Sequence, residues 1–199
     1  MEYNAEKREI LTDKELSNLD NLVLNFVKIL EKYADYVIIS GYVSILLGRT
    51  RITEDVDLFI KKISFNEFSK LYGELKNGGF WCINADKVKE VFSFLEDGLA
   101  VRFARIGESV PNFEIKFPKR DVDKETFNDF VIVKLGEEKL KISSLERQIA
   151  FKRYFLGSYK DEEDALHIEK TFKDKIDYNE IERLKKIIKN NKKNEKYQN

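Results

Sequence analysis

Between Ile38 and Ile60 the chain runs Ile-Ile-Ser-Gly-Tyr-Val-Ser-Ile-Leu-Leu-Gly-Arg-Thr-Arg-Ile-Thr-Glu-Asp-Val-Asp-Leu-Phe-Ile. This reads as a buried strand, a tight turn of small residues, a short apolar helix, a polar loop and a second strand. The second strand opens with Asp55-Val56-Asp57. Residues two apart on a strand point to the same face, so both carboxylates share one side while Val56 and Leu58 bury the other. Like charges held side by side are destabilising without a compensating cation. The pattern therefore suggests a divalent metal.

The rest of the chain supplies a body around this unit. Leu16, Leu19, Leu22, Val23, Phe26, Val27 and Leu30 recur at helical spacing, which predicts an amphipathic helix to about Tyr33, with Thr12 as cap and Glu15 closing a capping box. Helical spacing returns over Phe65–Leu75 and over Val88–Leu95, the latter capped by Asp86. Strands are expected at Phe80–Ile83, Leu99–Ala104 and Phe113–Phe117. In the last of these Phe113, Ile115 and Phe117 take one face and Glu114 and Lys116 the other. A short helix over Val122–Asn128 precedes a hairpin turning at Gly136-Glu137-Glu138, and from Ser143 the pattern is helical throughout. The expected organisation is an α/β body over residues 1–142 and a helical C-terminal part over 143–199. The basic tail from Lys189 to Lys196 is expected to fray.

Composition narrows the classes. Lys+Arg 36 against Asp+Glu 36 leaves a formal net charge of +0, so no global field draws the chain to nucleic acid or to a membrane. The single cysteine, Cys82, excludes an internal disulfide and a cysteine-rich zinc site. There is no apolar run of membrane-spanning length, and Met1–Lys7 lacks a signal core, so a cytoplasmic protein is expected. His167 reads as structural, and Trp81 and Cys82 as core.

The order of these elements resembles the nucleotidyltransferase superfamily of the polymerase-β type, and more narrowly its minimal, antibiotic-modifying and AbiEii-toxin-like members. Their signature is a hydrophobic residue, Gly-Gly or Gly-Ser, a spacer, then Asp-hydrophobic-Asp-hydrophobic. Here Ile39-Ser40-Gly41 is followed by Tyr42–Glu54 and then Asp55-Val56-Asp57-Leu58, with Arg51 and Thr53 matching an Arg and a Thr that many relatives carry before the first Asp. Ser40 stands where the first glycine usually sits. The resemblance implies a mixed sheet flanked by helices (α/β, α+β). It also implies transfer of a nucleoside monophosphate from an NTP to a hydroxyl acceptor with release of pyrophosphate.

The residues agree with that expectation. A small-residue turn at a helix N-terminus offers free N–H groups to phosphate, which makes Ser40 and Gly41 candidate contacts. Asp55 and Asp57 would bridge two Mg²⁺ ions that clamp attacking and leaving oxygens. The family needs a third carboxylate on a neighbouring strand. Glu114, the one acid on its alternating strand, is the candidate, and Lys116 on the same face can offset phosphate charge. By the resemblance Lys152 contacts the triphosphate, while Asp161 and Asp164 orient a lysine or cap a helix. The acceptor is open between a small molecule, a tRNA end and a protein, the last in the manner of toxins with a cognate antitoxin. The alternative class is a catalytically silent nucleotide-binding or interaction module. Taken alone, Ser-Gly is an ordinary turn and Asp-x-Asp an ordinary solvated strand face; the argument lies in their order.

Overall fold

The structure, a computed structural model, describes residues 1–197, with side chains as far as Asn191. Its centre is one mixed sheet. The strands are β1 (Glu2–Asn4), β2 (Glu9–Thr12), β3 (Tyr36–Ile39), β4 (Asp55–Ile60), β5 (Phe80–Cys82), β6 (Val101–Arg105), β7 (Asn112–Lys116), β8 (Val131–Leu135) and β9 (Glu138–Ile142). They lie in the order β1-β2-β8-β9-β3-β4-β7-β6-β5. β3 and β4 pair antiparallel, β4 and β7 parallel, and β7 and β6 antiparallel.

The helices are α1 (Asn18–Leu30), α2 (Gly41–Leu46), α3 (Phe65–Asn77), α4 (Val88–Glu96), α5 (Asp121–Lys124), α6 (Leu145–Phe151), α7 (Tyr159–Thr171) and α8 (Tyr178–Tyr197). α1 carries the expected apolar stripe, and its Phe26 ring stacks on Phe113 of β7 at 3.9 Å and meets Phe80 edge-on at 5.2 Å. That fixes the chemistry of the sheet by alternation. Val56, Leu58, Phe113 and Ile115 are fully buried, while the residues between them face the other way.

Three local expectations change. α1 starts at Asn18 rather than at Thr12, because Ser17 and Asp20 make the capping box and Thr12 belongs to β2. The short β1–β2 hairpin has no strong signal of its own and is held by the pairing of β2 with β8. α4 is capped by Lys87 without a side-chain bond, not by Asp86. Trp81 is 39 % exposed, its indole N–H donating to the Glu108 carbonyl, whereas Cys82 is buried. His167 is structural, with Nε2 2.9 Å from the Leu47 carbonyl oxygen.

The helical part begins at α6, and one apolar core runs from Ile10 through the sheet to Ile188. α8 continues through the basic tail to Tyr197, where frayed chain was expected; from Tyr178 on the sequence has no Gly or Pro to stop a helix. The side chains of Lys192, Lys193 and Lys196 lie outside the described residues. No helix among the described residues is long and apolar enough to cross a membrane.

Candidate active site

The register of the sheet builds the site. Across four neighbouring strands Ile39 pairs with Asp57, Asp57 with Glu114, and Glu114 with Arg102. Asp55 pairs one step along with Asn112, and Phe59 with Lys116. The three predicted acids therefore share one face of adjoining strands, as alternation requires.

Their environments differ. Burial pushes the Asp57 carboxyl up to about 6; Lys116 opposes this, Asp55 and Glu114 add to it, and hydrogen bonding from Ser40 lowers it. Asp55 is held from the loop before its strand: the Thr53 hydroxyl donates to the Asp55 carbonyl at 2.9 Å and reaches its Oδ1 at 3.4 Å. Glu114 is turned towards cations. Arg102 donates to its Oε2 from Nε and Nη2 at 3.0 and 2.7 Å, and Lys116 Nζ lies 3.8 Å from Oε1.

The turn before α2 is strained. Ser40 has φ 64° and ψ −136°, a region that costs a non-glycine residue about 1–3 kcal/mol. Gly41, next to it, could carry no side chain without crowding its neighbours. A Cβ there would come within 3.0 Å of Arg51 Nη2 and 3.3 Å of Thr53 Oγ1. The loop before β4 thus folds back over the start of α2, and a side chain at Gly41 would push it away.

Arg51 in turn is committed to Asp164. Its Nη1 makes a short hydrogen bond to Asp164 Oδ2, and the same oxygen accepts from Lys152 Nζ at 2.8 Å. Arg49 Nε lies 2.9 Å from Asp164 Oδ1 without hydrogen-bond alignment. One fully buried carboxylate therefore gathers three cations from two regions of the chain. Lys152 is itself 1 % exposed, and burial pulls its ammonium below the ordinary lysine value while Asp164 works against that. Asp164 orients Lys152, one of the two roles expected of it. Asp161 serves as the capping-box partner of Ser158 at the start of α7.

A cavity of about 180 Å³ opens against this row. Its sheet wall includes Ser40, Asp57, Phe59 and Lys116, and its helical wall includes Arg120, Thr126, Gln148, Phe151, Lys152 and Phe155. Four of the nine predicted residues (Ser40, Asp57, Lys116 and Lys152) line it. Gly41, Arg51 and Thr53 support them from outside the lining, and Asp55 and Glu114 adjoin Asp57 on the same face. Of the helical wall the sequence supplied only Lys152; Arg120, Thr126, Gln148, Phe151 and Phe155 were missed. Lys152 sits there because α6 runs on as a single π-helical segment, Lys152–Leu156, and such segments are common at functional sites.

The donor set accommodates magnesium in part. Mg²⁺ usually takes one or two carboxylates and completes its shell with phosphate and water, which Asp55 and Asp57 can supply. Glu114 engages Arg102 instead, and among the described residues no group of three His, Cys, Asp or Glu side chains is placed to hold a metal ion. A three-acid site requires Arg102 to release Glu114.

No family model matches the chain, and no curated protein matches it. Among solved structures it is similar to the antibiotic-resistance factor ANT(2'')-Ia at 11% identity, over 92% of this chain and 98% of that one, with a TM-score of 0.49. It is similar to an antigenic nucleotidyltransferase-like protein from Paracoccidioides brasiliensis at 20% identity, over 76% and 74% of the two chains, with a TM-score of 0.47. It is also similar to JHP933 from Helicobacter pylori at 19% identity, over 87% and 75%, with a TM-score of 0.48.

Proposed function

We propose that the chain is a nucleotidyltransferase that moves a nucleoside monophosphate from an NTP to a hydroxyl acceptor. The observation that carries the reading is Asp57: a half-buried carboxylate beside Asp55 and Glu114, facing a cavity whose walls also carry Lys116 and Lys152. Such an acid is costly unless a bound cation uses it. In the reaction the acceptor oxygen attacks the α-phosphorus, the bond from that phosphorus to the bridging oxygen breaks, and pyrophosphate leaves.

Asp55 and Asp57 would hold Mg²⁺, which when bound neutralises phosphate charge at the reacting centre. Thr53 keeps Asp55 in place, and Ser40 does the same for Asp57. Lys116 and Lys152 receive the triphosphate, Lys152 with its position set by Asp164. Arg51 acts through Asp164 and by packing over Gly41. Glu114 accepts the acceptor's proton once Arg102 has moved. Most of the rate would come from positioning and electrostatics.

The grip of Arg102 on Glu114 favours a second reading, an NTP-binding module that does not turn over. A cognate antitoxin has no supporting observation in the fold or in the comparisons. Incubation with each α-labelled NTP, Mg²⁺ and a cell extract separates the readings. Labelled product with the native chain and none with Asp55→Asn, which keeps the fold, supports transfer. NTP binding with no label from any of the four supports the silent module.

A further inference from the structure

The helical wall of the cavity contains a group that nothing so far uses. Thr126, in the 3-10 turn Glu125–Phe127, is 1 % exposed, and its Oγ1 has no hydrogen-bond partner among the described residues. A buried hydroxyl left unpaired is unfavourable, and orphans of this kind call for an explanation. Thr126 lines the same cavity as Asp57 and Lys152. The same wall carries Phe151, Phe155 and the buried Gln148, whose Nε2 donates to Ser143 Oγ at 2.5 Å, beside the charged Arg120 and Lys152.

Arg120 completes this wall as a fixed plane. Its guanidinium carbon sits 4.4 Å from the Phe155 ring centroid and 5.6 Å from that of Phe151, and its Nε and Nη2 donate to the two oxygens of Asp123 at 2.8 and 2.9 Å. A guanidinium fixed among two aromatic rings and a carboxylate makes a cationic, aromatic wall suited to stacking a heterocycle.

We propose that this wall is a nucleobase recess. The base of the NTP stacks against the Arg120–Phe155 plane, and the Thr126 hydroxyl pairs with its polar edge and sets which NTP is preferred. The proposal rests on the NTP reading above and adds what selects the nucleotide. The hydroxyl can donate or accept, so it discriminates against a base that presents a C–H at that point and leaves it unpaired again.

Thr126→Val tests this, since it removes the hydroxyl and keeps the shape. ATP, GTP, CTP and UTP are titrated separately, with Mg²⁺, into the native chain and the variant by calorimetry, and thermal melting is recorded. The expected result is a loss of roughly two- to tenfold in affinity for the preferred NTP, little change for the others, and a melting temperature unchanged or higher. Thr126→Ser keeps the hydroxyl and is expected to keep the preference. Arg120→Lys, which leaves a cation for Asp123 but no plane, is expected to weaken all four. If Thr126→Val changes all four affinities by one common factor, or none of them, the recess assignment is overturned while NTP binding stands. If the native chain binds none of the four, the transferase reading falls with it.

Discussion

Replacing Asp57 with Asn should make the metal-free protein more stable while abolishing transfer. Burial raises the Asp57 carboxyl from an ordinary 3.8 to about 6. The folded state therefore holds a proton there that the unfolded chain has already lost. The stability this group contributes is full below about pH 4 and is lost as pH rises through about 6. At about 1.4 kcal/mol per pKa unit, the ionised carboxylate costs the folded state about 3 kcal/mol at pH 7.5. Asn has nearly the same shape and no charge to desolvate. In a chain of this size that cost corresponds to roughly 6–12 °C in melting temperature. Urea unfolding in EDTA should show Asp57→Asn gaining about 3 kcal/mol at pH 7.5 and only about 1 kcal/mol at pH 4.5, where native Asp57 is mostly neutral. Titrating groups away from Asp55, Glu114 and Lys116 move both proteins alike, so the difference reports on this site. A variant no more stable than the native chain at pH 7.5, or a gain of equal size at both pH values, would refute the claim that burial has strained this acid for a cation.

Other perturbations follow from the same contacts. Asp164→Asn leaves Lys152, Arg49 and Arg51 facing an uncharged amide in a buried setting, and should cost about 3–5 kcal/mol in urea unfolding; a loss below 1 kcal/mol would show that the cluster does not act as a unit. Tyr42→Phe removes the buried 2.8 Å bond from the Tyr42 hydroxyl to Asp20 Oδ1 and should cost about 1.5–3 kcal/mol by the same measurement. Arg102→Ala frees Glu114, so the Mg²⁺ concentration giving half-maximal transfer should fall roughly 1.5- to 5-fold, the range of an exposed ion pair. A higher requirement in that variant would mean that Arg102 serves the site rather than competing with metal for Glu114.

The contrast between Asp55 and Glu114 shows how far local pattern reaches. Both lie on the predicted face of the predicted strand, because alternation is a property of extended backbone and needs no partner. What each carboxylate then does depends on neighbours distant in sequence. Thr53, two residues away, secures Asp55, and that contact is open to a reader of the motif. Arg102 secures Glu114 only because the sheet order sets β6 beside β7, and no spacing announces it. The same division explains the missed start of α1. Thr12-Asp13-Lys14-Glu15 has the local form of a capping box, but β2 takes Thr12 through its pairing with β8, so Ser17 and Asp20 do the capping.

By itself the sequence determined the strand–turn–helix–strand unit, the shared face of Asp55 and Asp57, the hairpin at Gly136 and the helical run after Ser143. All of these follow from covalent geometry and from hydrophobic spacing within one segment. Tertiary structure alone decided the charge state and the company of the site. It raised the carboxyl of Asp57 by removing water, and it drew Lys152, Arg49 and Arg51 onto Asp164. It also left the Thr126 hydroxyl unpaired against the cavity. Desolvation and long-range pairing exist only once distant segments have packed, so no window of sequence carries them.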